Sequence, residues 1–117
     1  MTKRTIAEVK SYAAPGHSGC TTMRIHGKEE TGAEKFWMGI STFLPGGGAE
    51  YGYEDNPFEK VYHILEGQMV VTDKAGNRFV LEKGDTLTIL PFEGRTLVNE
   101  TNMPARMLVV FNYPEEA

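Results

Sequence analysis

Gly48-Ala49-Glu50-Tyr51-Gly52-Tyr53-Glu54-Asp55-Asn56-Pro57-Phe58-Glu59-Lys60-Val61-Tyr62-His63-Ile64-Leu65-Glu66-Gly67 is the stretch whose reading decides the fold. Residues 61–65 have the β-branched and aromatic content of a strand, and Glu66-Gly67 closes it as a turn. Side chains alternate across a strand, so Lys60, Tyr62 and Ile64 share one face and Val61, His63 and Leu65 the other. Glu54 and Asn56 are two apart and share a face as well. An acid, an amide and a lysine thus lie close in sequence to three phenols, Tyr51, Tyr53 and Tyr62.

On either side the chain repeats short apolar runs broken by turn residues. Residues 36–44 are rich in aromatic, β-branched and apolar side chains, and Pro45-Gly46-Gly47-Gly48 is expected to end that strand. Residues 68–72 and 78–81 form a hairpin around Asp73-Lys74-Ala75-Gly76-Asn77, whose Asp, Gly and Asn tolerate positive φ. Further strands are expected over 86–90, 95–99 and 105–113, separated by breaks at Pro91 to Gly94 and at Asn102-Met103-Pro104. Residues 5–13 suit one short turn or an edge strand, and 17–35, polar and glycine-punctuated, suit loop with short strands. No stretch has helical periodicity. Seven or eight short strands at regular spacing define an all-β sandwich or barrel.

A chain of 117 residues suits one domain with one core. The expected organisation is an N-terminal arm with short strands (1–35) packing on a barrel (36–117). The net charge of -4 and the lack of a cationic cluster beyond Lys3-Arg4 argue against nucleic acid as a partner. Cys20 is the single cysteine, so an intrachain disulfide is excluded. Neither a signal-peptide pattern nor a run long enough to span a membrane is found, so a cytoplasmic protein without a membrane partner is the expectation.

The spacing Gly48-x5-Glu54-x-Asn56-x3-Lys60-x6-Gly67 resembles the first cupin motif, Gly-x5-His-x-His-x3-Glu-x6-Gly. Glu54 and Asn56 stand in the two histidine slots and Lys60 in the glutamate slot. Gly84 and Asn99 have the separation of the second motif, with Arg95 in its histidine slot. The motif's proline position holds Leu90, with Pro91 following, but the distance from Gly84 to Asn99 is unchanged. The resemblance covers roughly residues 36–113 and implies a double-stranded β-helix, the jelly-roll barrel. It also implies that Lys60, Tyr62 and Ile64 point into the barrel, that Arg95 does so with Leu97 and Asn99, and that the protein is a homodimer.

The replaced slots argue against the usual metal. A cupin site needs neutral imidazoles and a carboxylate around a divalent ion. Lys60 and Arg95 would instead bring positive charge, and like charges a few ångströms apart repel by about 1 to 4 kcal/mol each. No metal and no cofactor are therefore expected. His17 or His26 could supply shifted ligands, but their spacing carries no ligand signature. His63, opposite Lys60 on its strand, reads as packed or hydrogen-bonded.

The same four residues form an acid/base set. Lys60, desolvated near Arg95, has its charged form disfavoured and suits a general base or nucleophile, with Glu54 as its proton partner and Tyr53 assisting. Arg95 can fork onto a carboxylate or enolate. Asn56, Tyr62, Tyr51 and Trp37 complete the candidate substrate-binding set, with either Trp37 or Met38 facing the cavity. The expected ligand is a small anionic or carbonyl-bearing molecule, and the expected activity a metal-independent isomerase or lyase. A non-enzymatic binding or sensing module and a metal-dependent cupin with shifted ligands stay open beside it. Lys60 and Glu54 as an inert buried ion pair is the bland alternative. Gly46-Gly47-Gly48 follows a strand but opens no helix, so a phosphate loop is not supported.

Overall fold

The structure, a computed structural model, describes residues 1–114. Nine strands follow one another as β1 (Ser11–Tyr12), β2 (His17–His26), β3 (Phe36–Gly52), β4 (Lys60–Glu66), β5 (Gln68–Asp73), β6 (Arg78–Glu82), β7 (Thr86–Ile89), β8 (Arg95–Val98) and β9 (Ala105–Asn112). A single 3-10 turn (Ile6–Glu8) precedes them, and one short helix, α1 (Lys28–Thr31), joins β2 to β3. Every pairing is antiparallel, in the order β6-β5-β8-β3-β9-β4-β7, with β2 on β3 and β1 on β2. This is an all-β cupin barrel. Among the described residues no helix is long and apolar enough to cross a membrane.

β3 organises the barrel by serving two neighbours in turn. Its first part, Phe36 to Phe43, pairs with β9, and its last, Gly48 to Gly52, pairs with β8. Sequence reading ended this strand at Pro45. Instead, the Pro45 to Gly47 segment lies in an irregularity of the β2–β3 ladder, between the pairs of Ser18 and Cys20. A bulge accommodates a residue without an N–H donor, so the strand continues beyond it. Gly48 is required there, because a Cβ would run into the Leu97 carbonyl of β8. Gly67, at φ 77°, makes the β4–β5 turn in the left-handed region and faces the Pro104 carbonyl.

The alternation expected from sequence fixes what points inward. Lys60, Tyr62 and Ile64 of β4 are buried, as are Arg95 and Leu97 of β8 and then Asn99. Ala105, Met107, Val109 and Phe111 of β9 face them, with Phe43, Met69 and Val71 filling the centre. His63, on the outer side of β4, hydrogen-bonds through Nδ1 with the Thr86 hydroxyl at 2.7 Å.

Residues 17–26 depart from expectation. They form one ten-residue strand, β2, rather than loop and short strands. Its polar composition hid it: Ser18, Gly19 and Thr21 are exposed, and no sustained apolar alternation runs along it. The N-terminal segment therefore supplies a wall of the barrel.

Candidate functional site

Inside the barrel lies a cavity of about 170 Å3. Arg95 enters it from β8, Tyr62 from β4, Tyr53 from the segment after β3, Trp37 from β3, and His17 and Arg24 from β2. Among the described residues, no aspartate or glutamate lines it.

Arg95 is 3% exposed. Its Nε donates to the Tyr62 hydroxyl at 2.9 Å and its Nη1 to the Glu50 carbonyl at 2.9 Å. Its guanidinium carbon sits 4.7 Å from the centroid of the Tyr53 ring. Among the described residues it forms no ion pair, and neither does Arg24. The guanidinium of Arg24 stacks on Trp37 at 5.0 Å and on Tyr12 at 5.3 Å, and its buried Nε has no hydrogen-bond partner. Cation–π contact holds such a group in place without neutralising it.

Lys60 is fully buried, with Nζ 4.2 Å over the Tyr53 ring and 5.7 Å from the centroid of Phe111. Nζ has no hydrogen-bond partner. Burial first, and the Arg95 charge second, lower its pKa from 10.5 to about 8. Lys60 is not among the residues that line the cavity; it lies against the Tyr53 ring.

Tyr53 itself is held at φ 73°, an uncommon conformation for a bulky residue and a form of strain that clusters at functional sites. Its ring meets Phe111 edge-on at 5.7 Å. Burial, then the neighbouring Tyr62, push the phenol above its ordinary value, against the opposing pull of Arg95. Tyr53 therefore keeps its proton at neutral pH.

Three of the residues expected at the site are elsewhere. Glu54 is exposed, forms an ion pair with Lys74 and accepts a hydrogen bond from the Tyr51 hydroxyl at 3.0 Å. Those bonds, the Lys74 one first, lower its pKa. It is not the proton partner of Lys60, because the segment after β3 leaves the sheet and carries it outward. Tyr51 is exposed with Glu54, its hydroxyl packed against Gly94. Asn56 has its Oδ1 engaged by the Phe58 N–H at 2.8 Å, so it shapes the turn into β4. Lys60 is inward but screened from the cavity by aromatic rings. Arg95, Tyr53, Tyr62 and Trp37 are brought together around it.

The sequence left open whether His17 reaches the cavity, which it lines, and gave no sign of Arg24 there. Both lie on β2, and a register shift between Ser18 and Cys20 separates them, so simple alternation does not predict the pair. The His17 Nδ1 lies 2.8 Å from the Pro15 carbonyl, an acceptor only, so Nδ1 carries the proton. In the neutral ring Nε2 is then the lone-pair nitrogen. His26 does not join His17. A register shift separates it from Arg24, and its ring packs on Phe36 at 4.9 Å.

The four metal-ligand slots do not fit a divalent ion. Two hold inward cations, one an amide occupied by the backbone, and one a surface acid paired with Lys74. Among the described residues no three His, Cys, Asp or Glu side chains gather at one place.

Fold and site together define a small cupin barrel with a cationic interior. The chain belongs to the cupin domain family, whose sequence profile matches residues 39–111. It is 36% identical over 108 residues to Beta-D-galactosidase Rv1717 of Mycobacterium tuberculosis, spanning 92% of this chain and 90% of that protein. In structure it is similar to the polyketide cyclase RemF of Streptomyces resistomycificus, with a TM-score of 0.82 at 23% identity over 96% of this chain and 80% of that one. A cupin-superfamily sugar phosphate isomerase of Silicibacter pomeroyi gives a TM-score of 0.77 at 20% identity, over 97% of this chain and 76% of that one. At these identities the two structures establish the fold alone.

Proposed function

We propose that this chain binds a small anionic, carbonyl-bearing molecule in the barrel and acts on it by proton transfer, with side chains as the charged groups. One observation carries the reading: Arg95, 3% exposed, and Arg24 line one cavity that no carboxylate among the described residues lines. Arg95 is buried and Arg24 half-buried, neither has an ion-pair partner among the described residues, and an anionic ligand supplies one. The protein as a whole has a net charge of -4, so this local sign is a property of the site.

The volume limits the ligand. A cavity on the order of 150 Å3 takes a benzene-sized molecule, and this one measures about 170 Å3. Arg95 holds the anion or a developing enolate, oriented by Tyr62 and the Glu50 carbonyl. His17 Nε2 takes a proton and Tyr53 gives one, both from the edge of the cavity. Lys60 acts through Tyr53 as a positioning residue.

The galactosidase name of the 36% relative enters through the ligand rather than the reaction. Glycoside hydrolysis ordinarily uses two carboxylates, about 5–5.5 Å apart in retaining enzymes and about 6.5–9.5 Å apart in inverting ones. Among the described residues the cavity lining offers none. Within that volume a short sugar acid of about three or four carbons suits the Trp37 wall and the guanidinium groups together.

Thermal melting against small carboxylates, phosphates and their neutral amides tests binding. An anion at about 100 times its Kd raises Tm by on the order of 10 °C. The amides leave Tm unchanged, and Arg95→Gln abolishes the response. Equal shifts with amides remove the reading. For ligands that bind, deuterium uptake from heavy water at the carbon beside the carbonyl reports proton transfer, and Tyr53→Phe suppresses it.

A further inference from the structure

We infer that the cavity is built for a ligand with two anionic groups, one held by Arg95 and the other by Arg24, joined by a short spacer across an aromatic wall. This rests on the anion-binding reading above and narrows it from an anion to a dianion.

The two guanidinium groups enter from different strands and have different neighbours. Arg95 on β8 is set by Tyr62, the Glu50 carbonyl and Tyr53. Arg24 on β2 is set by Trp37 and Tyr12. Between them the rings form a continuous series. Arg24 lies over Trp37 at 5.0 Å, Trp37 meets Phe111 at 4.4 Å, Phe111 meets Tyr53 at 5.7 Å, and Arg95 lies over Tyr53 at 4.7 Å. The cations thus stand at the two ends of this series of ring contacts.

Neither end has an acid in ion-pair contact among the described residues, although Glu8, Glu29 and Glu30 share a neighbouring groove with Arg24. Arg78, on the surface, is by contrast held by both oxygens of Glu100. The buried Nε of Arg24 is a donor without an acceptor, and buried donors are seldom left so. One carboxylate or phosphate can engage two N–H groups of one guanidinium. Two separated guanidinium groups therefore ask for two anionic groups. Trp37, Phe111 and Tyr53 offer carbon surface for a spacer, and the volume of about 170 Å3 holds that spacer to a few carbons.

Isothermal titration at fixed ionic strength tests this with butyrate, succinate, glutarate and phosphoglycolate on the full chain. The expected result is that the best dianion binds at least ten-fold more tightly than butyrate. Arg24→Gln brings that ratio to about one, and Arg24→Lys, which keeps the charge, retains part of it. A phosphoglycolate preference identifies a phosphorylated acid, and a succinate or glutarate preference a dicarboxylic acid. If butyrate and the dianions bind alike to the wild-type chain, the two-anion inference fails while the anion site stands. If Arg24→Gln leaves the ratio unchanged, it fails also. If no anion binds, the anion reading itself has failed.

Discussion

The Nζ of Lys60 lies 4.2 Å over the ring of Tyr53, and the guanidinium of Arg95 meets the same ring at 4.7 Å. One strained tyrosine is therefore the common surface for both inward cations in the two motifs. Lysine in the glutamate slot thus serves as a charge held behind an aromatic ring. That arrangement couples stability, ligand affinity and pH through a single group.

Lys60 binds fewer protons folded, with a pKa of about 8, than unfolded, at 10.5. Stability accordingly rises with pH between about 8 and 10.5, as the unfavourable charge is lost from the native state. Lys60→Met is expected to remove that rise and to stabilise the protein near pH 7 by about 1–3 kcal/mol. Urea melts across pH 7 to 11 measure both effects. An unchanged pH slope in the variant contradicts the assignment.

Anion affinity should run the opposite way. Deprotonation of Lys60 removes one positive charge from beside Arg95, so binding weakens as pH rises through about 8. Calorimetry at pH 7 and pH 9 reads this directly. Lys60→Met abolishes the difference between the two.

Glu54 belongs to the surface with Lys74 and Tyr51, outside the site. Glu54→Gln is expected to leave ligand affinity within two-fold of wild type. Its Tm should also stay close, since exposed ion pairs contribute little. A large loss of binding would return Glu54 to the cavity.

Asn99, wholly buried, holds the β8–β9 connection. Its Nδ2 donates to the Phe43 and Met103 carbonyls, and its Oδ1 accepts from the backbone and hydroxyl of Thr101. Asn99→Ala leaves these groups unpaired and should cost about 2–4 kcal/mol in a denaturant titration.

Phe92 is 60% exposed and held at φ 65° in the turn before β8. Phe92→Gly relieves that strain with little loss of packing, and should stabilise by about 0.5–1 kcal/mol. This turn also absorbs the displaced proline of the second motif, since Arg95 still points inward.

The strands of the barrel were legible wherever period two met a buried face. β4 and β8 show the parity expected for Lys60 and Arg95. β2 was not legible, because it is polar and Gly19 interrupts it. With it went Arg24, while His17 stood only as a possible shifted ligand. The inward direction of Lys60 and Arg95 could be read from spacing, but the outward course of Glu54 could not. Spacing rules describe a continuous strand, and the chain leaves the sheet after Gly52. Nor does parity show that Tyr53 comes to lie between Lys60 and the cavity, since that depends on a positive φ at Tyr53.

Trp37 is the only tryptophan and lines the cavity, so its fluorescence reports on the interior alone. Titration with a small carboxylate and its neutral amide, on wild type and Arg95→Gln, is the most direct measurement. The cationic-barrel account predicts a saturable change with the carboxylate, none with the amide, and none in the variant. A saturable amide signal of equal strength, or a carboxylate signal that survives loss of Arg95, would contradict it.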